Sequence, residues 1–331
     1  MSLFPDRSPS AEAALRDLQS HRPTARRAAA EALADVDDPN LLPRAREGLI
    51  KATGDLRPDV RAAAAVSLGE LGGDDAVDAL ISCLDDGNSE VRQVAAVALG
   101  TIGDNKAVPA LIKALASDAP DLRFQAVTSL AEVDSDAARE PLLAILDRDD
   151  DAEVIAAAAI ALGAIGEKRA ADKLAAMIPD HGARVVFDLG YALADLGDPR
   201  AAEVLADYAR SAELGWDAIT ALEKLGSPEA EAALRQALPE NRGNPALPLR
   251  AAAALLRADP GEEVAGEARA TLLGGLKARR IDHRGLTIEL LGEVGGSWAV
   301  APLEDLRRRW TSRRLRSEID EALSHLRDSD S

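Results

Sequence analysis

Cysteine occurs once in this 331-residue chain, aromatic side chains make up 2% of it, and only seven of its 39 basic residues are lysine. A lone Cys83 excludes an intramolecular disulfide, and with only four scattered histidines it excludes a conventional zinc site. Scarce aromatics exclude a core built on large rings, which normally supply much of the buried area. Small side chains must then pack at close range, and helices stacked on helices meet that condition best. No run approaches the roughly 18 apolar residues of a membrane span. The start, Met1-Ser2-Leu3-Phe4-Pro5-Asp6-Arg7, lacks the basic and then apolar pattern of a secretory signal. No segment alternates apolar and polar residues long enough to argue for a strand. A cytoplasmic, reducing setting is the resulting expectation, and a monomer is expected.

Against these absences stand 47% apolar residues, abundant alanine and a net charge of −18. The apolar content is too high and too regularly patterned for disorder. Acid excess opposes binding to nucleic acid and to anionic membranes. Acidity, few lysines and much alanine together resemble proteins of salt-loving archaea. Length alone suggests two domains, but an internal repeat overrides it.

Three segments align: Asp59-Val60-Arg61 to Gly72, Glu90-Val91-Arg92 to Gly103, and Asp121-Leu122-Arg123 to Val133. With the residue before the arginine as an anchor, apolar residues recur eight and eleven positions later. The template fits anchors at Ala25, Val60, Val91, Leu122, Val154, Val185, Leu214, Leu247, His283 and Leu315, spaced 29 to 36 residues apart and loosest at Leu247 and His283. Each unit reads as two helices. Helix B carries the anchor and ends at Leu-Gly or Ile-Gly, where glycine takes the left-handed conformation that closes a helix. A short turn leads to helix A of the next unit, with Pro109, Pro141 and Pro302 expected in first turns. The expected fold is an all-α superhelix of about ten two-helix repeats in one solenoid: a cap over 1–36, regular repeats over 37–226, looser ones over 227–331.

The run Glu90-Val91-Arg92-Gln93-Val94-Ala95-Ala96-Val97-Ala98-Leu99-Gly100-Thr101-Ile102-Gly103-Asp104, followed by Ala107-Val108-Pro109-Ala110-Leu111-Ile112, resembles the short HEAT-like repeat first associated with phycobilisome lyases. The resemblance covers 58–198 well. It implies an α-solenoid and leaves function open, since scaffolds, lyases and oxidoreductases share the fold. It also implies that the helix-B face opposite the core forms a concave surface.

At 100° per residue, positions 0, +4, +8 and +11 form the core stripe, and +2, +6 and +9 lie opposite. That opposite face is apolar and aromatic instead of charged. It carries Phe124, Phe187 and Trp216 at +2, and Val97, Thr128, Ile160, Tyr191 and Thr220 at +6, with charge nearly absent until Glu223. Two readings stand: curvature buries these side chains against one another, or they line a groove that accepts a partner helix or an apolar ligand.

Arginine recurs at +1 (Arg26, Arg61, Arg92, Arg123, Arg284 and Arg316). Stacking would set each near acids of the next unit as a ladder of ion pairs. A second arginine group, Arg307, Arg308, Arg309, Arg313, Arg314 and Arg316 around Trp310, reads either as a junction neutralising nearby acids with Trp310 as core, or as an anchor for an acidic protein or a phosphate backbone.

No His-Glu pair of the kind that binds iron in deoxyhypusine hydroxylase stands here, nor a phosphate-binding glycine loop. The acid runs Asp85-Asp86 and Asp149-Asp150-Asp151 read as solvated turns, and Cys83 as a core thiol. The expectation is an interaction scaffold with a protein partner and without catalytic residue, metal or cofactor. A lyase- or oxidoreductase-type accessory role toward a tetrapyrrole or other cofactor is the alternative, and nucleic-acid association through the arginine group a further one.

Overall fold

A computed structural model of the chain describes residues 11–329 except 240 and 242. The N-terminal stretch read above for targeting signals lies outside the described residues. The described chain is an all-α superhelix with no strand, and it divides into two compact units, 1–170 and 171–331. Helices of the first unit are α1 (Ala11–Asp17), α2 (Pro23–Ala32), α3 (Leu42–Ala52), α4 (Pro58–Leu71), α5 (Asp74–Cys83), α6 (Ser89–Ile102), α7 (Val108–Ala114), α8 (Pro120–Val133), α9 (Asp136–Arg148) and α10 (Ala152–Ala164). Those of the second are α11 (Ala171–Met177), α12 (Ala183–Asp195), α13 (Ala201–Tyr208), α14 (Gly215–Leu225), α15 (Pro228–Ala237), α16 (Ala246–Arg257), α17 (Glu262–Gly275), α18 (Ile281–Val294), α19 (Ser297–Arg308) and α20 (Arg316–Ser329).

Every even-numbered helix is a B helix, and each of the ten anchors falls within one or at its first turn. Position +8 is leucine in all ten: Leu33, Leu68, Leu99, Leu130, Leu162, Leu193, Leu222, Leu255, Leu291 and Leu323, none more than 3% exposed. Each such burial stabilises by about 2 kcal/mol before entropy is charged against it. Position +4 is also buried throughout, mostly as alanine. Small residues let consecutive B helices meet closely. A Cβ on Gly69 would stand 2.7 Å from that of Ala98, and one on Gly100 would stand 2.9 Å from Ser129 Cα. Between B helices Ser67 Oγ of α4 donates to the Ala30 carbonyl of α2 (2.9 Å) and Ser129 Oγ of α8 to that of Ala96 in α6 (2.8 Å), so the buried hydroxyls are satisfied.

Helix B ends as the glycines require. Position +12 has a positive φ in seven successive repeats, at Gly72, Gly103, Asp134, Gly166, Gly197, Gly226 and Asp259. Aspartate, which tolerates this region better than most L-residues, replaces glycine twice. Pro109 sits in the first turn of α7, but Pro141 and Pro302 lie inside α9 and α19. Those helices begin earlier than the prolines suggested, at Asp136 and Ser297. Each proline therefore leaves the carbonyl four residues earlier, Ala137 or Trp298, without its helical N–H partner. Cys83 is 5% exposed and its thiol pKa is raised by burial.

Candidate interaction surface

The helix-B face differs between the two units. In the first, Val66 and Val97 at +6 are each 44% exposed. Phe124, Thr128 and Ile160 are half-buried. Thr128 Oγ1 donates to the Gln125 carbonyl (2.9 Å), so its hydroxyl is satisfied within its own helix. A cavity of about 420 Å³ opens beside Val66, lined also by Val94 and by Glu31, Asp35, Asp59, Glu70, Glu90 and Arg27. Carboxylates thus border the apolar stripe here. The residues at +9, expected on the open face, are instead buried at Gly69, Gly100 and Gly163. The B helices α4, α6 and α8 each have B helices on two sides, so the sector through +9 is taken by the seam and +6 is left facing outward.

In the second unit Phe187 is 4% exposed and belongs to the interior. Its ring lies 5.3 Å, edge-on, from Tyr208 of α13 and 6.2 Å from Tyr191. Tyr208 Oη donates to the Ala183 carbonyl at 2.6 Å and so fixes α13 against the start of α12. Tyr191 is half-buried and Thr220 exposed. Trp216 remains 40% exposed, with the Arg250 guanidinium carbon 3.0 Å from its ring centroid. That distance is well inside cation–π range. Burial, and then the charge of Arg257, lower the pKa of Arg250. Arg257 bridges Glu223 (2.9 Å) and Glu293 (2.5 Å), which ties α14, α16 and α18 together.

The ladder forms in the first unit. Arg26 grips Asp55, Arg61 grips Asp86 and Arg123 grips Asp149, each through Nε and Nη2 at 2.6 to 2.8 Å. Each acid belongs to the next repeat. Asp86 and Asp149, expected to be solvated, are therefore structural. Hydrogen bonds from Arg61 and Arg123 are the largest cause lowering their pKa values. Glu167, held by the Arg169 fork, is lowered to about 2. Arg284 and Arg316 depart from the expected ladder. The Arg284 Nε is buried without a hydrogen-bond partner, and Arg316 is exposed at the start of α20. Position −5 of the repeat after Arg284 is Trp310, so no acid stands where a rung would need one.

In the C-terminal arginine group, Arg307 pairs with Asp320 (2.6 Å), and Arg308 and Arg309 both pair with Asp305. Arg313, Arg314 and Arg316 are exposed. The side chain of Trp310, read as core, lies outside the described residues. Among the described residues no cluster of His, Cys, Asp or Glu suits a metal ion, and no helix is long and apolar enough to cross a membrane.

The family model for HEAT repeats matches residues 46–131, 108–189 and 140–217, together more than half of the chain. This chain belongs to the HEAT-repeat family. No curated protein matches it. Among solved structures, the HEAT-repeat chain is similar to Kap95p, from a complex with RanGDP: 14% identity, TM-score 0.67, covering 99% of this chain and 53% of that one. It is similar to YibA of Escherichia coli at 22% identity and TM-score 0.50, covering 65% and 80%. It is also similar to the phycocyanin lyase complex of CpcE and CpcF from Nostoc, at 26% identity and TM-score 0.47, covering 68% and 94%. HEAT repeats are helical scaffolds for protein interaction, and that coarse class applies to this chain.

Sequence reading of the HEAT units missed Tyr208, Arg250 and Arg257. Tyr208 sits on a helix A, away from the face under scrutiny. Arg250 stands 34 residues after Trp216, about one repeat on. That spacing was the available signal, weakened because the Leu247 unit fits the template loosely.

Proposed function

We propose that this HEAT-repeat protein is a non-catalytic scaffold that binds a protein partner on its helix-B face, in a reducing, cytoplasmic setting. The observation that carries the reading is Trp216, a large ring left 40% exposed although a stacked guanidinium already covers part of it. Tryptophan and arginine are enriched at binding hot spots, and a ring already stacked on a guanidinium presents its area with part of the ordering done. Tyr191 and Thr220 flank it by sequence register in the second unit. In the first unit Val97, Val66, Phe124, Thr128 and Ile160 supply a milder apolar stripe. Phe187 acts from below by fixing Tyr191 and Tyr208.

A photo-crosslinker at Thr220 tests this. It should capture a discrete partner, and Trp216→Asp should weaken that capture at least tenfold with helicity unchanged. Equal capture by the variant would refute the reading. The nucleic-acid alternative is weakened by Asp305 and Asp320, which already engage Arg307, Arg308 and Arg309. The lyase-type alternative rests on resemblance.

A further inference from the structure

The arginines at +1 bind in a constant manner. Nη1 of Arg26, Arg61, Arg92 and Arg123 donates to the carbonyl six residues earlier, at Ser20, Asp55, Asp86 and Ser117 (2.8 to 3.0 Å). In three of them, Nε and Nη2 then hold the carboxylate at the corresponding place one repeat later. Arg92 finds Ser117 there, and among the described residues no carboxylate accepts from its Nε and Nη2. Ser117 keeps the turn, since its Oγ accepts from the Ala119 N–H (3.2 Å) as Asp86 accepts from Asn88 and Asp149 from Asp151. It does not supply the charge.

Arg92 and Ser117 line one cavity of about 640 Å³, walled by Ile81, Leu84 and Leu122. The other charges there are Lys113, Asp85, Asp86 and Asp118. Lys113 spends its charge on Asp85 (2.9 Å), and Asp86 is held by Arg61. Asp118 is exposed. Arg92 is thus the one cation of this cavity without a carboxylate. In a similar cavity at the next junction, about 620 Å³ and lined also by Arg148, the arginine at +1 is filled: Arg123 by Asp149.

We propose that the Arg92–Ser117 junction is a carboxylate-binding site, an open rung that a ligand closes by presenting two oxygens to the Nε–Nη2 edge. Planar two-oxygen anions match that fork best. The site lies between repeats within the first unit, lined by residues of α5 and α7, and shares no residue with the helix-B face, so it stands independently of the helix-B reading.

Arginine Nε–H signals of the full chain, followed by NMR during titration with sodium acetate against sodium chloride, test it. The Arg92 signal should shift and saturate, while those of Arg61 and Arg123 stay put because their forks are occupied. Ser117→Asp should close the rung internally. Its Arg92 signal should move toward that of Arg61 without acetate and respond at least fivefold less, whereas Ser117→Asn, a control for the turn, should respond as the wild type does. A linear drift without saturation, an equal shift at Arg61, or a full response in Ser117→Asp would each overturn the proposal. Where saturation occurs, a short peptide with one central aspartate distinguishes the source. Binding tenfold tighter than acetate assigns the rung to an acidic side chain of a partner, and equal affinity assigns it to free carboxylates.

Discussion

The first and second units use the same helical pattern and the same buried leucine at +8, yet they join their repeats differently. Residues 1–170 rely on small-residue seams, serine hydroxyls reaching a neighbouring carbonyl, and arginine–aspartate forks with side chains 16% exposed or less. Residues 171–331 hold six of the eight aromatics and use ring contacts around Phe187, the Arg250–Trp216 stack and the Arg257 bridge. The core stripe therefore fixes the fold, while the chemistry of the junction is free to vary and brings different groups to the surface. Where forks are complete, the arginine and aspartate of each rung spend their charges on each other. Where they give way to rings, an aromatic edge is left available.

The largest expected effect tests what the units share. Leu130→Ala and Leu291→Ala should each cost about 3 to 4 kcal/mol in urea denaturation, because both leave a buried cavity. A strong inequality would break the claim of one common core. Next comes what they do not share. Arg61→Ala strands the Asp86 carboxylate and should cost about 2 to 3 kcal/mol, whereas Arg284→Ala, which breaks no ion pair, should cost less than about 1 kcal/mol.

Acid sharpens the contrast further. The folded pKa values of Asp55, Asp86 and Asp149 are lowered, chiefly by arginine hydrogen bonds. Their stabilisation is present above the ordinary carboxylate range near pH 4 and is lost as pH falls through the lowered values. Asp188 behaves oppositely. Burial raises its pKa, so its environment favours the protonated form and loses stability as pH rises from the ordinary range through the raised value. Hydrogen exchange followed downward from about pH 6 should show protection in α4 and α6 falling below pH 4, with no matching loss in α12 between pH 6 and 4. Parallel loss would sink the comparison. The smallest effect belongs to exposed pairs. Lys113→Ala, at 72% side-chain exposure, should change stability by no more than about 0.5 kcal/mol.

The ten-unit period, the B-helix anchors and the closing glycines were legible because each follows from 3.6-residue periodicity and from the conformational freedom of glycine. The arginines of the ladder were legible by their register at +1, but their partners were not, since Asp86 and Asp149 read as solvated turns, and neither were the gaps. A one-residue change from Asp to Ser at 117 breaks no helical pattern, and its meaning shows only once Arg92 is seen to face it. Phe187 reads as a face residue by angle and proves to be core because Tyr208, on another helix, reaches over it. Position +9 misled for a related reason: a helical wheel knows one helix, while α4, α6 and α8 each pack between two others of their kind.

What the sequence determined by itself was the all-α superhelix and the buried leucine stripe, since local periodicity and capping act within a helix and need no partner. Only the tertiary structure decided which side chains on the helix-B face remain exposed, which acids are spent on arginines and which arginine is left open. Those outcomes depend on contacts between residues about 25 to 35 positions apart, and such contacts exist only after the repeats have stacked.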